Sequence, residues 1–245
     1  FFSTVPSLWK LVLRLANPPN FGNLKRIHVG SAPLSKNLWK EIIDWSGIKN
    51  IVNMYGITET ANWIAGASAN EYKIEDGLVG KMWGGSAYIK DDNGNINSTG
   101  HGLILIKTPS LMNRYYNLPE MTNNLIKDGF YDTGDIGTID KNKTIRITGR
   151  KKFEINRAGI KINPEDIDLL LEDHHKIDES CAFAVPDEIY GEIVGVAIKL
   201  NSEVEISDIK EWCSERILGE KIPTKWYIVP EIPKNDRGKV DRIKV

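Results

Sequence analysis

A strand, helix and strand pattern near the start of the chain constrains the fold more than any other feature. The apolar run from Leu24 to Val29 predicts a strand, Ser35 is placed to cap a helix with one apolar face, and Ile51 begins a second strand. Because about ten helical residues connect the strands, they are expected to lie parallel as a βαβ unit. Ligands of such sheets bind beyond the carboxyl ends of the strands, where residues 30–33 and 53–59 are predicted to lie.

The pattern changes near Gly77 to short strands separated by turns. Ser86 to Lys90 and Gly102 to Lys107 predict strands, and the Asn93-Gly94 pair is a strong hairpin signal. This part is predicted to be a small antiparallel, barrel-like subdomain.

A third pattern begins in the stretch from Phe130 to Glu165. Two β-branched runs around a Lys-Asn-Lys turn predict a hairpin, Ile136 to Asp140 with Thr144 to Thr148. Asn163 is placed to cap a helix that has Pro164 in its first turn. The elements predicted beyond it are a helix to Asp173, strands Ser180–Val185 and Ile193–Leu200, a helix capped by Ser207 and running to Ile217, and strand Trp226–Val229.

These patterns predict an α/β protein with three parts. Residues 1–76 are expected to form the end of a large βαβ domain, residues 77–149 the barrel-like β subdomain, and residues 150–245 a compact, mobile α+β domain.

Composition narrows the class of partner. The net charge of −1 and the pI near 6.5 give no electrostatic reason to expect nucleic acid or an anionic membrane. The longest apolar runs fall well short of the roughly 20 residues that a membrane span needs. Cys181 and Cys213 are expected to be reduced thiols of a cytoplasmic protein. His101, His174 and His175 lack partners at metal-binding spacing and are expected to be surface residues.

Three neighbouring motifs carry a resemblance to a known family. TGD at residues 133–135, GRKKFEIN at 149–156 and RAGIKINPEDID at 157–168 resemble the adenylate-forming superfamily, which includes acyl-CoA synthetases, aryl-acid ligases and peptide-synthetase adenylation domains. The segments 30–34, 53–59 and 233–242 also occur along the chain in the order that the family shows. The resemblance implies an AMP-forming ligase that converts a carboxylic acid and ATP to acyl-AMP and pyrophosphate, and then transfers the acyl group to a thiol. It implies ATP or AMP and Mg²⁺ as ligands.

The segment Asn53 to Glu59 offers groups for a nucleotide. Tyr55 presents an aromatic face to a base, the Asn53 amide suits a purine edge, the Thr58 hydroxyl suits a phosphate oxygen, and Glu59 is a hard oxygen ligand for magnesium. The resemblance assigns these roles to the same positions. It includes Thr58 in catalysis, and places Met54 and Gly56 in the nucleotide site.

Two further positions and one loop complete the predicted nucleotide site. The two oxygens of Asp135 are suited to the hydroxyls of a ribose, and the family's matching arginine, here Arg150, contacts the nucleotide. The small residues of one loop let a flat ligand approach the backbone, and the resemblance implies that this loop borders adenine and the acyl group. The loop comprises Gly30, Ser31, Ala32 and Pro33. Trp63 either lines the acyl pocket or belongs to the core.

The remaining assignments come from the resemblance. Lys239 matches the catalytic lysine that bridges the acyl carboxylate and the α-phosphate, Lys152 matches the hinge, and Gly159 borders the pantetheine channel. Ile155-Asn156-Arg157 and Ala158 depart from one common family pattern. This departure leaves CoA and a carrier-protein phosphopantetheine arm open as acceptors.

Two alternatives stay open at this point. One is a non-catalytic remnant that binds a nucleotide or an acyl-adenylate, and the other is an amino-acid adenylation domain. The chain opens at Phe1, and no Gly-rich lysine loop with P-loop spacing occurs in it, whereas the family carries its phosphate loop upstream. A fragment that is inactive by itself is therefore expected.

Overall fold

The computed structural model describes residues 1–18, 24–236 and 238–245. The chain divides into two compact units, Phe1–Ile147 and Thr148–Val245. The fold class is α/β, as predicted, with one large sheet and a second, smaller one. The three-part domain organisation stays a prediction.

The first unit is built on the large sheet. The strands of this sheet are β1 (Phe2–Thr4), β2 (Ile27–Gly30), β3 (Ile51–Ile57), β4 (Asn62–Ser68), β5 (Leu78–Met82), β6 (Ser86–Lys90), β7 (Ile96–Asn97), β8 (Gly100–Lys107), β9 (Ile126–Lys127), β10 (Phe130–Ile139) and β11 (Ile145–Arg150), and β11 continues past the unit boundary at Ile147. Its helices are α1 (Pro6–Leu15), α2 (Lys36–Ser46) and α3 (Pro119–Leu125). The strand order is β1-β2-β3-β4-β5-β11-β10-β8-β6-β7, with β9 beside β10.

The predicted βαβ unit is present. Strands β1, β2 and β3 are parallel, and α2 connects β2 to β3. The Ser35 hydroxyl accepts a 3.1 Å hydrogen bond from the Leu38 amide, and Gly47 ends the helix with φ of 66°. Both residues therefore act as the sequence predicts. Trp9 and Trp39 are fully enclosed in the core that these elements share.

The predicted antiparallel part continues the same sheet. Strands β6 and β8 pair antiparallel as expected, and the turn from Asp91 to Asn95 contains Gly94 with φ of 86°. Strand β4 was not predicted from the sequence. It pairs with both β3 and β5, and so connects the parallel strands to the antiparallel ones.

The second unit contains a five-stranded sheet and two helices. They are β12 (Ile155–Arg157), β13 (Ile160–Ile162), α4 (Pro164–Glu172), β14 (Ile177–Asp187), β15 (Gly191–Leu200), α5 (Ile206–Ser214) and β16 (Lys225–Ile228). The order is β13-β12-β15-β14, and β16 pairs parallel with β15. Ile155, Ile167 and Val196 belong to the core between sheet and helices.

Two predicted helix caps differ from the structure. Asn163 precedes α4 at the cap position, but its side chain makes no capping bond and its amide nitrogen lies 3.4 Å from the Thr148 hydroxyl. Helix α5 begins at Ile206 with Glu205 at its cap, so Ser207 lies inside the first turn. Ser207 directs its hydroxyl to Asp208 instead.

Both cysteines are free thiols as expected, whereas His174 is buried and is not the surface residue that the sequence predicted. Cys181 and Cys213 are both free thiols and both buried. Burial raises the pKa of each thiol, to about 12 and about 11 respectively, so both are protonated near neutral pH. Among the described residues, no helix has the length and apolar character needed to span a bilayer.

Candidate active site

The ends of two parallel strands bring the first two predicted segments together. Gly30 at the end of β2 pairs with Met54 in β3. A Cβ atom on Gly30 would lie only 2.7 Å from the ring of Trp63, so this position requires glycine. Ser31 follows with φ of 67° and, like Pro33, is exposed. Trp63 therefore covers the glycine that begins the predicted adenine and acyl loop.

The segment from Asn53 to Glu59 lies mostly inside a strand. Strand β3 runs to Ile57, and only Thr58 and Glu59 enter the following 3₁₀ turn, whereas the sequence pattern places the whole segment at the strand end. The buried Asn53 amide donates a 2.8 Å hydrogen bond to the Leu78 carbonyl. It thus connects β3 to β5, and its contact with a purine edge stays a prediction.

A buried hydrogen bond joins two of the predicted nucleotide residues. The Tyr55 hydroxyl donates to Oδ2 of Asp135 at 2.6 Å, although 80 residues separate them in the sequence. Both side chains are buried, with 8% of Tyr55 and 2% of Asp135 exposed. The structure therefore brings an aromatic ring and a carboxylate into one fixed arrangement.

Asp135 owes its position to a bulge in β10. Between residues 132 and 136, four steps along β10 match two steps along β8. Gly134 adopts φ of 69° inside this bulge. Thr133 stabilises it, because its hydroxyl donates to the Ile104 carbonyl at 2.7 Å and accepts from the Asp135 amide at 3.0 Å. The TGD motif therefore forms a bulge within strand β10.

Two tyrosines that the sequence did not reveal surround Glu59. The Tyr115 hydroxyl donates to Oε1 of Glu59 at 2.6 Å and lies 3.1 Å from the Tyr131 hydroxyl. Burial and the bond to Glu59 raise the pKa of Tyr115, and burial and Tyr115 raise the pKa of Tyr131. Both phenols stay protonated at neutral pH and act as hydrogen-bond donors. Nothing local in the sequence marks Tyr115, because it reaches Glu59 across 56 residues.

Glu59 fits the predicted magnesium role. In the part of the chain that the structure describes, no three His, Cys, Asp or Glu side chains are grouped to hold a metal ion. Mg²⁺ commonly takes only one or two carboxylates and completes its octahedron with phosphate oxygens and water. A single partly exposed carboxylate is therefore a suitable donor set for magnesium bound together with a nucleotide.

In the second unit, Lys239 lies in a tight turn. The Asn235 amide donates to the Lys239 carbonyl at 2.8 Å, and the Lys239 amide donates to the Asn235 side chain at 3.1 Å. Gly238 has φ of 72°, and a β-bridge joins Lys234 to Val240. Residue 237 of the predicted segment 233–242 lies outside the described residues.

Gly159 also lies in a tight turn. Strands β12 and β13 form a hairpin whose two loop residues are Ala158 and Gly159, with φ of 49° and 89°. Positive φ at both positions is typical of a type I′ turn. The Asn156 side chain accepts a 2.9 Å hydrogen bond from the Gly159 amide. This hairpin was not predicted from the sequence.

The other two predicted positions of this unit lie just before that hairpin. Arg150 is the last residue of β11, and Lys152 is exposed in the 3₁₀ turn Lys151–Phe153. The Lys152 ammonium lies 4.6 Å from the centroid of the Phe153 ring. The structure thus groups residues 30–33, 53–59 and 135 in the first unit and Arg150, Lys152, Gly159 and Lys239 in the second.

Comparison with known proteins identifies the family. A model described as AMP-binding enzyme matches residues 1–116, and one described as AMP-binding enzyme C-terminal domain matches residues 166–239. The chain belongs to the AMP-binding, or adenylate-forming, enzymes. The resemblance stated from the sequence motifs is therefore confirmed.

Several AMP-binding enzymes are similar along nearly the whole chain. The oxalate–CoA ligase of Saccharomyces cerevisiae is 30% identical over 247 residues, which is 99% of this chain and 45% of that protein. The 2-succinylbenzoate–CoA ligase of Staphylococcus epidermidis is 28% identical over 243 residues, covering 99% of this chain and 50% of that protein. The chain spans about half the length of the curated relatives that it matches.

Solved structures of AMP-binding enzymes share the fold. ATP-bound MatB from Rhodopseudomonas palustris has a TM-score of 0.90 and 26% identity, covering 99% of this chain and 49% of that one. The o-succinylbenzoate CoA synthetase of Bacillus subtilis, in complex with its acyl-adenylate intermediate, has a TM-score of 0.88 and 25% identity. That match covers 99% of this chain and 50% of the synthetase.

Proposed function

We propose that this chain carries part of the machinery of an AMP-forming carboxylic acid–CoA ligase. In the first step, a carboxylate oxygen attacks the α-phosphorus of ATP, and the bond from that phosphorus to pyrophosphate breaks. In the second step, the CoA thiolate attacks the acyl carbon of the acyl-AMP, and AMP leaves. Atoms and charges balance in both steps without a redox partner.

The first unit binds the nucleotide in this proposal. The ring of Tyr55 stacks with adenine, Asp135 accepts hydrogen bonds from the ribose hydroxyls, and the loop from Gly30 to Pro33 borders adenine and the acyl group. Thr58 is exposed in the turn after β3, where its hydroxyl can donate to a phosphate oxygen. Glu59 would hold Mg²⁺, which when bound supplies positive charge to the phosphate oxygens.

The second unit supplies the cation and the thiol path. The Lys239 ammonium neutralises charge shared between the acyl carboxylate and the α-phosphate, and Arg150 contacts the nucleotide. A point charge on a flexible stem suits this role for Lys239. Gly159 borders the path of the pantetheine thiol, and Lys152 is the hinge between the two half-reactions.

One observation carries the proposal, namely the buried bond between Tyr55 and Asp135. It joins two motifs that are far apart in the sequence, and it holds a stacking surface and a diol acceptor in one rigid arrangement. A structural tyrosine alone would not need a buried carboxylate partner, because burying a charge is costly. Membership of the AMP-binding enzymes supports the same assignment.

The names of the relatives support CoA as acceptor. Three of the four reported above are named as CoA ligases or CoA synthetases, and none of the four names mentions a carrier protein. Oxalate and 2-succinylbenzoate both carry two carboxylates, so dicarboxylic acids are the first class of substrate to test. Relatives also include a long-chain-fatty-acid–CoA ligase from Yersinia pestis, so fatty acids form the second class.

Hydroxylamine trapping of the acyl-adenylate tests the reaction. The protein in its natural length is incubated with ATP, Mg²⁺ and a panel of dicarboxylic, fatty, aryl and amino acids, beside the variants Lys239→Ala and Lys244→Ala. Hydroxamate from one class of acid, lost in Lys239→Ala and retained in Lys244→Ala, is the expected result. Bound ATP with no hydroxamate from any acid would contradict the proposal and favour a non-catalytic binding protein.

A further inference from the structure

The second unit contains a buried cluster of charges centred on Arg242. The guanidinium makes ion pairs with Asp168 at 2.7 Å and with Glu165 at 3.7 Å, and it donates to the Ala182 carbonyl. Only 9% of the Arg242 side chain is exposed, against 14% and 16% for the two acids. A buried guanidinium is tolerated only when neighbouring acceptors are placed to satisfy several of its N–H donors at once.

Arg242 contacts three separate elements of the second unit. Asp168 and Glu165 lie on α4, and Ala182 lies on β14. The guanidinium carbon also lies 5.5 Å from the centroid of the Phe153 ring, in the turn that contains the predicted hinge residue. The Arg242 side chain therefore connects the turn before β12 with helix α4 and strand β14.

The segment that Arg242 fixes is the one that carries Lys239. Within this segment, hydrogen bonds close the turn between Asn235 and Lys239, and the Asp241 amide donates to the Pro233 carbonyl at 2.8 Å. These bonds hold the loop together, but they do not attach it to the rest of the unit. Residues on either side of the turn attach it to the rest of the unit, and one of them, Arg242, follows Lys239 by three positions.

Other attachments lie on both sides of the turn, since Val240 packs against the apolar cluster that contains Ile232. Ile232 is fully buried against Cys181 and Ala197, and Lys234 makes a 2.8 Å ion pair with Glu179. We call residues 232–234 the incoming arm of the turn and residues 240–242 its outgoing arm. Arg242 is thus the polar anchor of the outgoing arm, and Lys234 is the polar anchor of the incoming arm. Only 9% of the Arg242 side chain is exposed against 29% of the Lys234 side chain, so the anchor of the outgoing arm is the more buried of the two.

We propose that Arg242 is a positioning residue for Lys239. Its ion pair with Asp168 fixes the outgoing arm of the turn, and its contact with Phe153 places the same guanidinium against the segment of Lys152. The inference rests on the proposed function for the role of Lys239. A lysine has a long flexible stem, so the backbone position of its turn determines where the ammonium can act, and a displacement of about 1 Å can cost up to about a hundredfold in rate.

A double-mutant cycle tests the catalytic half of this inference. Adenylate formation is measured for the natural-length protein and for Arg242→Met, Lys239→Ala and the double variant. Arg242→Met is expected to lower kcat by about ten- to a hundredfold, with a much smaller change in the KM for ATP. In the Lys239→Ala background the same substitution should cause no further loss. An equal loss in both backgrounds would overturn the inference, because Arg242 would then act independently of the lysine.

Amide hydrogen exchange tests the anchoring half and needs no activity. In Arg242→Met, exchange at residues 234–241 should become at least about tenfold faster, while β14 and β15 keep their protection. Arg242→Lys keeps the charge but loses the planar fork, so it should restore protection only in part, and it replaces the Met variant if that variant does not fold. The control is Lys244→Met, since 68% of that side chain is exposed. Unchanged exchange in both Arg242 variants would overturn the anchoring.

The two readouts separate the inference from the proposed function. If no acid gives adenylate in the unaltered protein, the proposed function fails, whereas faster exchange in Arg242→Met still supports the anchoring of the turn. If adenylate forms and Lys239→Ala leaves a measurable residual rate, the cycle decides the role of Arg242 directly.

Discussion

The Tyr55 hydroxyl is held 2.6 Å from Oδ2 of Asp135, so the plane of an aromatic ring and the direction of a carboxylate are set together. Adenine and ribose are likewise adjacent in a nucleotide, joined directly by the glycosidic bond. A site that stacks with the first and binds the diol of the second gains from fixing both partners before the ligand arrives, since no ordering is then needed on binding. This relationship gives the first prediction.

Replacing Tyr55 by Phe should weaken both the fold and the binding of AMP. The substitution keeps the ring but removes the donor to a buried carboxylate, and bonds to charged groups contribute about 1.5–3 kcal/mol. We expect the free energy of unfolding to fall by about that amount in urea denaturation, and the affinity for AMP to fall in calorimetry. Tyr116→Phe is the control, because Tyr116 is 88% exposed. Equal stability of the two variants would contradict the prediction.

Replacing Tyr115 by Phe should affect magnesium-dependent binding more than binding of AMP alone. Tyr115 donates to Oε1 of Glu59, the proposed magnesium ligand, and groups that orient a metal ligand commonly contribute about 10- to 100-fold in metal affinity. Calorimetric titration with ATP, with and without Mg²⁺, measures the difference. Loss of affinity of the same size under both conditions would show that Tyr115 supports the fold only, and Tyr116→Phe again serves as the control.

Replacing Ala158 by Gly should stabilise the second unit. Ala158 has φ of 49°, and a residue with a Cβ is disfavoured by roughly 1–2 kcal/mol in that region, partly offset by the greater freedom of glycine in the unfolded chain. We expect the free energy of unfolding to rise by up to about 1 kcal/mol. Gly159→Ala should have the opposite effect, because Gly159 has φ of 89° and an added Cβ would find no packing partner within 4 Å. A lower melting temperature for Ala158→Gly would refute this.

Removing the cation beside Asp168 should destabilise the second unit most at high pH. Burial raises the pKa of Asp168 to about 7, against the opposing effects of Arg242 and the Ala182 amide. The folded state therefore binds the proton more tightly than the unfolded state, whose carboxyl has a pKa of about 3.9, and this group's contribution to stability falls as pH rises between those values. Arg242→Met removes the cation that lowers the pKa of Asp168. The fall in stability with rising pH should therefore extend above about pH 7 in this variant.

Chemical denaturation at about pH 5.5 and about pH 8.5 checks this pH dependence. The stability lost in Arg242→Met should be larger at the higher pH, and the double variant with Asp168→Asn should lose that dependence, because no ionisable group then remains at the position. Losses of equal size at both pH values would mean that Asp168 does not respond to Arg242.

Strong local signals account for the elements that the sequence predicted. The Ser35 cap, the Gly47 stop and the apolar face between them define α2 without tertiary information. Strand β4 lacks such a signal, because its small residues, Ala65 and Gly66 among them, fit the strand only where β3 and β5 enclose them. The β12–β13 hairpin was missed because Ala158 occupies a position where the turn rule expects Gly, Asn or Asp.

The sequence likewise predicted only part of the candidate site. Asp135 and Tyr55 were found because their motifs resemble a family, whereas the bond between them belongs to the tertiary structure. Tyr115 and Arg242 act through partners that are 56 and 74 residues away, and no periodicity or spacing reports such pairs. Sequence patterns therefore identify candidate ligand-binding residues more readily than they identify the residues that position those side chains.

The bulge that carries Asp135 has an even length, and this decides what a deletion would do. Side chains alternate between the faces of a sheet, so an insertion of two residues leaves every later position of β10 on its original side. Excising two residues, one of them Asp135, would restore an unbroken ladder and remove the carboxylate. Excising one residue would turn Ile136 and Ile139 each to the face opposite to its present one. The proposed ligand contact and the register of the sheet are in this way separable by a single short excision, which removes the buried bond to Tyr55 but keeps the later strand positions on their original faces.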